Sequence, residues 1–297
     1  MGDSDPYGQD LQLALSVCYE LHYRGFAGVD ERWEWDPGVL ALRARLEEAF
    51  LEAVRDDVGQ IDSGTTAADE MAGLSVEPPG GQGPSYYLRD RGTWDQMREY
   101  FVHRSVYHLK EGDPHAWVIP RLSGHAKAAF VAVEFDEFGA GRGDQVHQHL
   151  YGELMEAAGL DPTYLRYLDD VTAEALVTVN LMSLFGLHRD LRAAAIGHFA
   201  ATEITSSPGS RRLVAALTRF HAPDQCIRFY REHVEADAVH EQVVRTDVVD
   251  ALLDREPHLE SDVVFGIRAF NLVEDRLATH LMTCWQAGES SLRRPVS

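Results

Sequence analysis

The chain has 297 residues, of which 45% are hydrophobic and 25% charged, a composition typical of soluble globular proteins. Its formal net charge of −21 repels nucleic-acid phosphate and anionic membranes, so we exclude nucleic acid and membrane as partners. The three cysteines, Cys18, Cys226 and Cys284, have no CxxC spacing, which excludes a disulfide framework and a cysteine-built zinc or iron–sulfur site.

Apolar residues recur at helical spacing along most of the chain. Residues 10–23 and 38–56 predict two N-terminal helices. The stretch that follows is rich in Gly, Pro and Ser and predicts a long surface loop. Beyond it helical signals dominate, with Thr93 as a predicted N-cap, and strand-like alternation is scarce. We therefore predict one all-α domain over residues 1–297, with N-terminal helices over 1–60, a flexible loop over 61–90 and a helical core over 91–290.

The segment 230–240, YREHVEADAVH, carries the most specific pattern in the chain. His233, Asp237 and His240 stand at i, i+4 and i+7, so they share one stripe of a helix. Imidazole nitrogen together with carboxylate oxygen suits a first-row divalent metal ion. The alternative is a solvated helix face with two incidental histidines.

Further carboxylates and histidines stand at the ends of predicted apolar helices. Glu203 lies near the C-terminal end of an Ala-rich helix, where the helix dipole disfavours an anion. Glu137 precedes the Gly-rich break AGRGD, and His147 follows it, so the break lets the two approach one point. Glu111 stands in the last turn of another helix. Each of these residues has the ordinary alternative of pointing into solvent.

Together these segments resemble the haem-oxygenase-like di-iron oxidases and oxygenases, the iron-containing redox enzymes. The resemblance covers roughly residues 95–290 and rests on EGDPHAWVIPRLSGHAKAAF, EFDEFGAGRGDQVHQHLYGELMEAAGLD, SLFGLHRDLRAAAIGHFAATEITS and FYREHVEADAVHEQV. It implies a haem-oxygenase-like helical bundle with the metal site between core helices. The ligands that it implies are Glu111, Glu137, His147, Glu203, His233, Asp237 and His240.

The resemblance also implies two iron ions, with O2 as co-substrate. One iron is expected near Glu137, His147 and His240. The other is expected near Glu111, His233 and Asp237. In this arrangement Glu203 is a mobile or bridging ligand. The two histidines of the 230–240 segment then belong to different irons.

The function that the resemblance implies is a non-haem di-iron, O2-dependent oxidase or oxygenase. It would act on a small organic molecule by N-oxygenation, or by C–H oxidation or oxidative decarboxylation of an amino or fatty acid. Family habit implies an external electron donor, a homodimer and a place in secondary metabolism. Because the chain has neither a signal region nor a long apolar span, we expect a cytoplasmic protein.

Three alternatives stay open at this point. The chain is a haem-binding or metal-free member of the same fold, a di-manganese enzyme or metal store, or a helical binding protein without catalysis. Haem requires one well-placed proximal histidine, which would leave the stripe of His233, Asp237 and His240 without a purpose.

Overall fold

Helices account for about three-quarters of the backbone that the structure describes. The computed structural model describes residues 5–77 and 80–296, without the side chains of residues 237 and 238. Within those ranges the chain is 75% helical and forms no strand, so the all-α prediction is confirmed. None of these helices is long and apolar enough to cross a membrane. The α-helices are α1 Gln9–Glu20, α2 Pro37–Val58, α3 Ala67–Leu74, α4 Pro84–Asp90, α5 Trp94–His108, α6 Asp113–Ala116, α7 Gly124–Glu137, α8 His147–Ala157, α9 Ala173–Leu187, α10 Arg192–Phe220, α11 Asp224–Val243, α12 Ala251–Arg255 and α13 Glu260–Ala287.

The two N-terminal helices pack on the main helical core. Leu15 of α1 and Phe50 of α2 are fully buried in the same apolar cluster as Phe130 of α7 and Phe199 of α10. The predicted helices over 10–23 and 38–56 thus correspond to α1 and α2, and their apolar faces are buried against later parts of the chain.

The segment 61–90, predicted as a loop, contains α3 and α4. The Thr66 side chain caps α3 by accepting a hydrogen bond of 3.1 Å from the Asp69 amide. The Ala67 amide, left without an intrahelical partner at the helix start, donates to the Glu260 carboxylate at 2.6 Å. Because that carboxylate is nearly two hundred residues away along the chain, local composition alone did not indicate this helix.

Helix α10 is the central element, and it packs against both α11 and α13. The crossing with α13 is unusually close because each helix places a glycine at the contact. A Cβ atom on Gly197 would lie 2.0 Å from the Val263 carbonyl oxygen, and one on Gly266 would lie 2.0 Å from the Ala194 carbonyl oxygen. Helix α11 continues through a π-helix, Val244–Asp250, into α12.

Candidate metal centre

The break between α7 and α8 brings a carboxylate and an imidazole together. Helix α7 ends at Glu137, and the next turn is left-handed, with φ of 71° at Gly139 and 80° at Gly141. A Cβ atom on Gly139 would lie 2.7 Å from the Val146 nitrogen, so only glycine fits there. The chain thereby reverses and starts α8 at His147, whose Nδ1 lies 2.6 Å from Glu137 Oε2.

A first group of ligand atoms lies between the end of α5, the α7–α8 break and α11. Its members offer one atom each within 4.8 Å of one another, and all are buried. The rings of His147 and His233 are 4.5 Å apart between centroids, and His233 Nε2 lies 3.5 Å from Glu111 Oε1. The group consists of Glu111, Glu137, His147 and His233.

The orientation of His233 suits a metal ligand. Its Nδ1 donates a hydrogen bond of 2.8 Å to the Phe229 carbonyl oxygen, since a carbonyl can only accept. The lone pair of the neutral ring is then on Nε2, which faces the Glu111 carboxylate. Two electron-pair donors that face each other are what a bound cation requires, and the backbone bond fixes the ring as it does in metal sites.

A second group shares Glu137 with the first. It consists of Glu137, Glu203 of α10 and His240 of α11, again buried and within 4.8 Å of one another. His240 Nδ1 lies 3.2 Å from Glu203 Oε2 and 3.9 Å from Glu137 Oε1. Its Nε2 lies 3.1 Å from Asp136 Oδ2, so this carboxylate orients the ring from outside.

The charges of the two groups also fit metal ions. Glu111, Glu137 and Glu203 are at most 6% exposed, and burying three carboxylates without cations is costly. The Glu111 Oε2 atom accepts no hydrogen bond from the described residues. Burial raises the pKa of the Glu111 carboxyl, and the adjacent His108 imidazole lowers it, so that this pKa stays well below its usual range. The donor set of carboxylates and imidazoles is therefore anionic and suited to iron.

Comparison with known proteins assigns the chain to a family. The sequence model of a family described as "Iron-containing redox enzyme" matches residues 98–275, which is more than half of the chain. The chain belongs to this family of iron-containing redox enzymes. The resemblance inferred from the motifs is thereby confirmed, and the matched range includes both groups of ligand atoms.

One curated relative of this iron-containing redox enzyme is the nitrosourea synthase of Streptomyces achromogenes subsp. streptozoticus. The two are 23% identical over 279 residues, which cover 89% of this chain and 59% of the relative. The chain thus spans about three-fifths of the length of that relative. At this identity the relative supports the family, and its activity belongs to the relative alone.

The structure brings together six of the seven residues implied as ligands. All six are buried, and they are Glu111, Glu137, His147, Glu203, His233 and His240. The side chain of Asp237, the seventh, lies outside the described residues, so its part in the site stays a prediction.

The expected pairing of ligands differs from the geometry. His147 groups with Glu111 and His233, and not with His240, while Glu203 groups with His240. The reason is the position along α11 that His147 reaches. His147, at the start of α8, contacts Phe229 and His233 of α11. His240 lies about two helical turns further along α11 than His233. Glu137, at the end of α7, is the residue that reaches both groups.

Sequence reasoning assigned no role to the residues around the ligands, although it noted Glu134 three residues before Glu137. His108 contacts Glu111 through Nδ1 at 2.9 Å, and Asp136 contacts His240. Glu134 is buried with neither carboxylate oxygen bonded to a described residue, and burial together with Glu137 and Glu203 raises its pKa well above the usual value. Spacing offered one signal, since His108 and Glu134 each stand three residues before a proposed ligand.

Proposed function

We propose that this iron-containing redox enzyme is a non-haem di-iron, O2-dependent oxidase or oxygenase acting on a small organic molecule, with N-oxygenation as its reaction. The observation that carries the proposal is the sharing of Glu137 between two adjacent groups of ligand atoms. A carboxylate has two oxygens, so one side chain can serve two cations at once. A single-metal site or a haem pocket has no use for two such groups.

In this proposal Glu111, His147 and His233 would hold one iron, Glu203 and His240 would hold the other, and Glu137 belongs to both groups of ligand atoms. Asp237 joins the first position, as the resemblance implies. When bound, the two ions supply the electrons that reduce O2. The protein holds the imidazoles in place through the Phe229 carbonyl and the Asp136 carboxylate.

The reaction class is supported by the family and by the name of the relative. A nitrosourea carries a nitroso group on nitrogen, and "nitrosourea synthase" therefore points to oxidation at nitrogen in that protein. The cavity that reaches Glu111 and His233 has a volume of about 320 Å³, which fits a small molecule. We therefore favour N-oxygenation over oxidation of a long fatty acid chain.

The test is iron loading followed by exposure to O2. The protein is reconstituted anaerobically with Fe2+, desalted and analysed for iron per chain, and O2 uptake is then followed with candidate amines and amino acids. We expect about two irons in the natural protein and about one in both His233→Ala and His240→Ala, since the histidines lie in different groups. His149→Ala is the control, because that ring is half exposed and pairs with Glu153.

The same experiment separates the alternatives. Undiminished binding of two irons in both histidine variants would sink the proposal. A haem absorption band on mixing with hemin would favour a haem-binding member of the fold. Preferential uptake of manganese would favour a di-manganese enzyme, and iron uptake without O2 consumption would favour a metal store.

A further inference from the structure

The turn that carries Glu111 is held by the N-terminal helix as well as by the metal centre. Helix α5 ends at His108, and residues 109–112 lead into α6. The Glu111 side chain contacts His108 and His233 among the ligand groups. The side chain of its neighbour Lys110 contacts the end of α1 instead. This short turn therefore connects the metal centre with α1.

Lys110 and Glu20 form a buried ion pair between the turn and α1. The Lys110 ammonium lies 3.5 Å from Glu20 Oε2 and 4.4 Å from the centre of the Tyr23 ring. The side chains of the pair are 6% and 2% exposed. A buried ion pair adds little net stability, because the loss of hydration offsets the attraction between its charges. Its presence beside a ligand residue points to another role.

Glu20 is fixed in place by bonds of its own. Its Oε2 accepts a hydrogen bond of 2.7 Å from the Tyr164 hydroxyl, and its Oε1 accepts one of 3.2 Å from the Arg24 amide. The Arg24 guanidinium in turn lies 4.3 Å from the centre of the Tyr164 ring. The carboxylate is therefore a fixed point to which the Lys110 ammonium is tied, and it keeps these bonds if the ammonium is removed.

A second connection runs from Arg24 to the backbone of Glu111. Arg24 donates a hydrogen bond to the side-chain oxygen of Gln148, the second residue of α8, and lies 3.5 Å from Asp113 Oδ2. The Gln148 amide group donates to the Glu111 carbonyl oxygen at 2.9 Å and to Asp113 Oδ1 at 3.1 Å. Because Gln148 directly follows His147, this connection joins the segments of two proposed ligands.

We propose that Glu20 and Arg24 are positioning residues of the metal centre. Through Lys110 and Gln148 they fix the turn between α5 and α6, and with it the carboxylate of Glu111. This role rests on the proposed function, because the turn supplies a ligand to the first of the two groups. The connections from α1 lead to the first group, so their loss should weaken one metal position and spare the other.

Charge and position predict opposite effects for one substitution. Lys110→Met removes a positive charge beside Glu111, so a purely electrostatic role predicts tighter binding of a cation. A positioning role predicts weaker binding, because the turn loses its tie to α1. We expect the affinity of the first group for Fe2+ to fall about tenfold, as for other residues that orient metal ligands from outside. Glu20→Gln should weaken the same position to a similar extent.

The first arm of the test measures Fe2+ affinity at each position separately, under argon, by competition with a chromogenic chelator. His240→Ala leaves the first group complete, and His233→Ala leaves the second. Lys110→Met should weaken Fe2+ binding about tenfold in the His240→Ala background and change it by no more than about twofold in the His233→Ala background. Lys110→Arg, which keeps the charge, should restore part of the affinity. Tighter binding in Lys110→Met, or an equal loss at both positions, would overturn the positioning role.

Glu47→Gln is the matched control for Glu20→Gln. Glu47 is 4% exposed on α2 and pairs with Arg43 at 3.3 Å and with His188 at 3.0 Å, neither of which lies in the turn of Glu111. Its replacement disturbs a buried carboxylate of the N-terminal helices, yet it should leave Fe2+ affinity at the first position within about twofold. Equal losses in the two variants would show general destabilisation and contradict the assignment.

Amide hydrogen exchange of the metal-free protein gives a readout that does not depend on iron. The Lys110 amide donates to the Tyr107 carbonyl oxygen at 2.8 Å, and the Asp113 amide donates to the Lys110 carbonyl oxygen at 3.1 Å. Lys110→Met and Arg24→Met should each speed exchange of these amides about tenfold, since the turn opens more often, whereas Glu47→Gln should not. Unchanged exchange in both variants would overturn the positioning role.

Failure of the positioning role and failure of the proposed function are distinguishable. If exchange and Fe2+ affinity change as expected but the iron-loaded protein consumes no O2, the positioning role stands and the oxygenase does not. If the protein consumes O2 while exchange and affinity are the same in Lys110→Met as in the natural protein, the oxygenase stands and the positioning role is wrong.

Discussion

Glu137 is the residue on which the proposed two-metal arrangement depends. Because it is the shared member of both groups of ligand atoms, Glu137→Ala should lower bound iron to well below one per chain. Glu203→Ala should leave about one iron, since Glu203 belongs only to the group with His240. Iron per chain after anaerobic loading and desalting measures both, with circular dichroism to verify folding and the exposed Asp144→Ala as control. Equal iron contents in the two glutamate variants would show that Glu137 does not connect the sites.

The sequence predicted which residues are candidate ligands better than it predicted which of them lie in the same group. The spacing of His233 and His240 predicted that both imidazoles share one stripe of α11, and both are buried there, at 6% and 3% exposed. The partner of each was not predictable in the same way. Which residue of α8 or α10 meets which turn of α11 depends on the depth at which the helices cross, and that depth is set by packing between distant segments.

The close crossing of α10 and α13 makes a prediction at the scale of the helix. Gly197→Ala would place a methyl group 2.0 Å from the Val263 carbonyl oxygen, so the helices must separate. We expect a loss of about 3 kcal/mol in the free energy of unfolding, at the upper end of overpacking costs. Denaturant unfolding of the metal-free protein measures it.

Gly209→Ala is the matched control for this crossing. Gly209 lies in the same helix α10, and the nearest atom to its added Cβ would be Arg212 Nη2 at 4.0 Å. Alanine is favoured over glycine inside a helix, so this change should leave the free energy of unfolding unchanged or raise it by about 1 kcal/mol. Equal destabilisation by both substitutions would mean that the close contact does not limit stability.

A helix was predicted from the sequence where its start is stabilised by neighbouring residues, and was missed where it depends on contacts with distant parts of the chain. Thr93 caps α5 as predicted, and Gln96 completes a reciprocal capping box. Both residues are within one turn, so the sequence contains the whole signal. For helix α3 the neighbouring residues supply only part of the signal. The amide of Ala67 donates to Glu260 of α13, and Met71 is buried in the main apolar cluster. Propensity cannot anticipate a partner supplied by the tertiary fold.

Across the whole molecule the charge is distributed unevenly between surface and core. The net charge of −21 is mainly a property of the surface, yet several carboxylates and histidines are buried around the ligand groups. Composition was typical of a globular protein and helical periodicity predicted an all-α fold, but neither carried information about this buried set. Its existence followed only from the spacing motifs and the family resemblance, because burial of a charged residue is decided by its partners.

The buried histidines predict how the stability of the molecule depends on pH. Burial lowers the pKa of His103 to about 3, of His198 to about 3 and of His115 to about 4. In the unfolded chain each has a pKa of about 6.5, so below that pH the unfolded state binds more protons than the folded state. Their stabilising contribution is therefore complete above pH 6.5 and is lost as the pH falls toward 4.

Between about pH 6.5 and pH 4, each of these histidines should contribute a slope of about 1.4 kcal/mol per pH unit to the free energy of unfolding. The three together should contribute about 4 kcal/mol per pH unit. Denaturant unfolding between pH 7 and pH 4.5, in the presence of a chelator, measures the slope. His103→Gln should reduce the slope by about 1.4 kcal/mol per pH unit, because Gln keeps a donor for the Ser291 hydroxyl and does not titrate. The exposed His125 is the control position, and its replacement should leave the slope unchanged. A slope in the natural protein no steeper than that of His103→Gln would mean that His103 is protonated in the folded state.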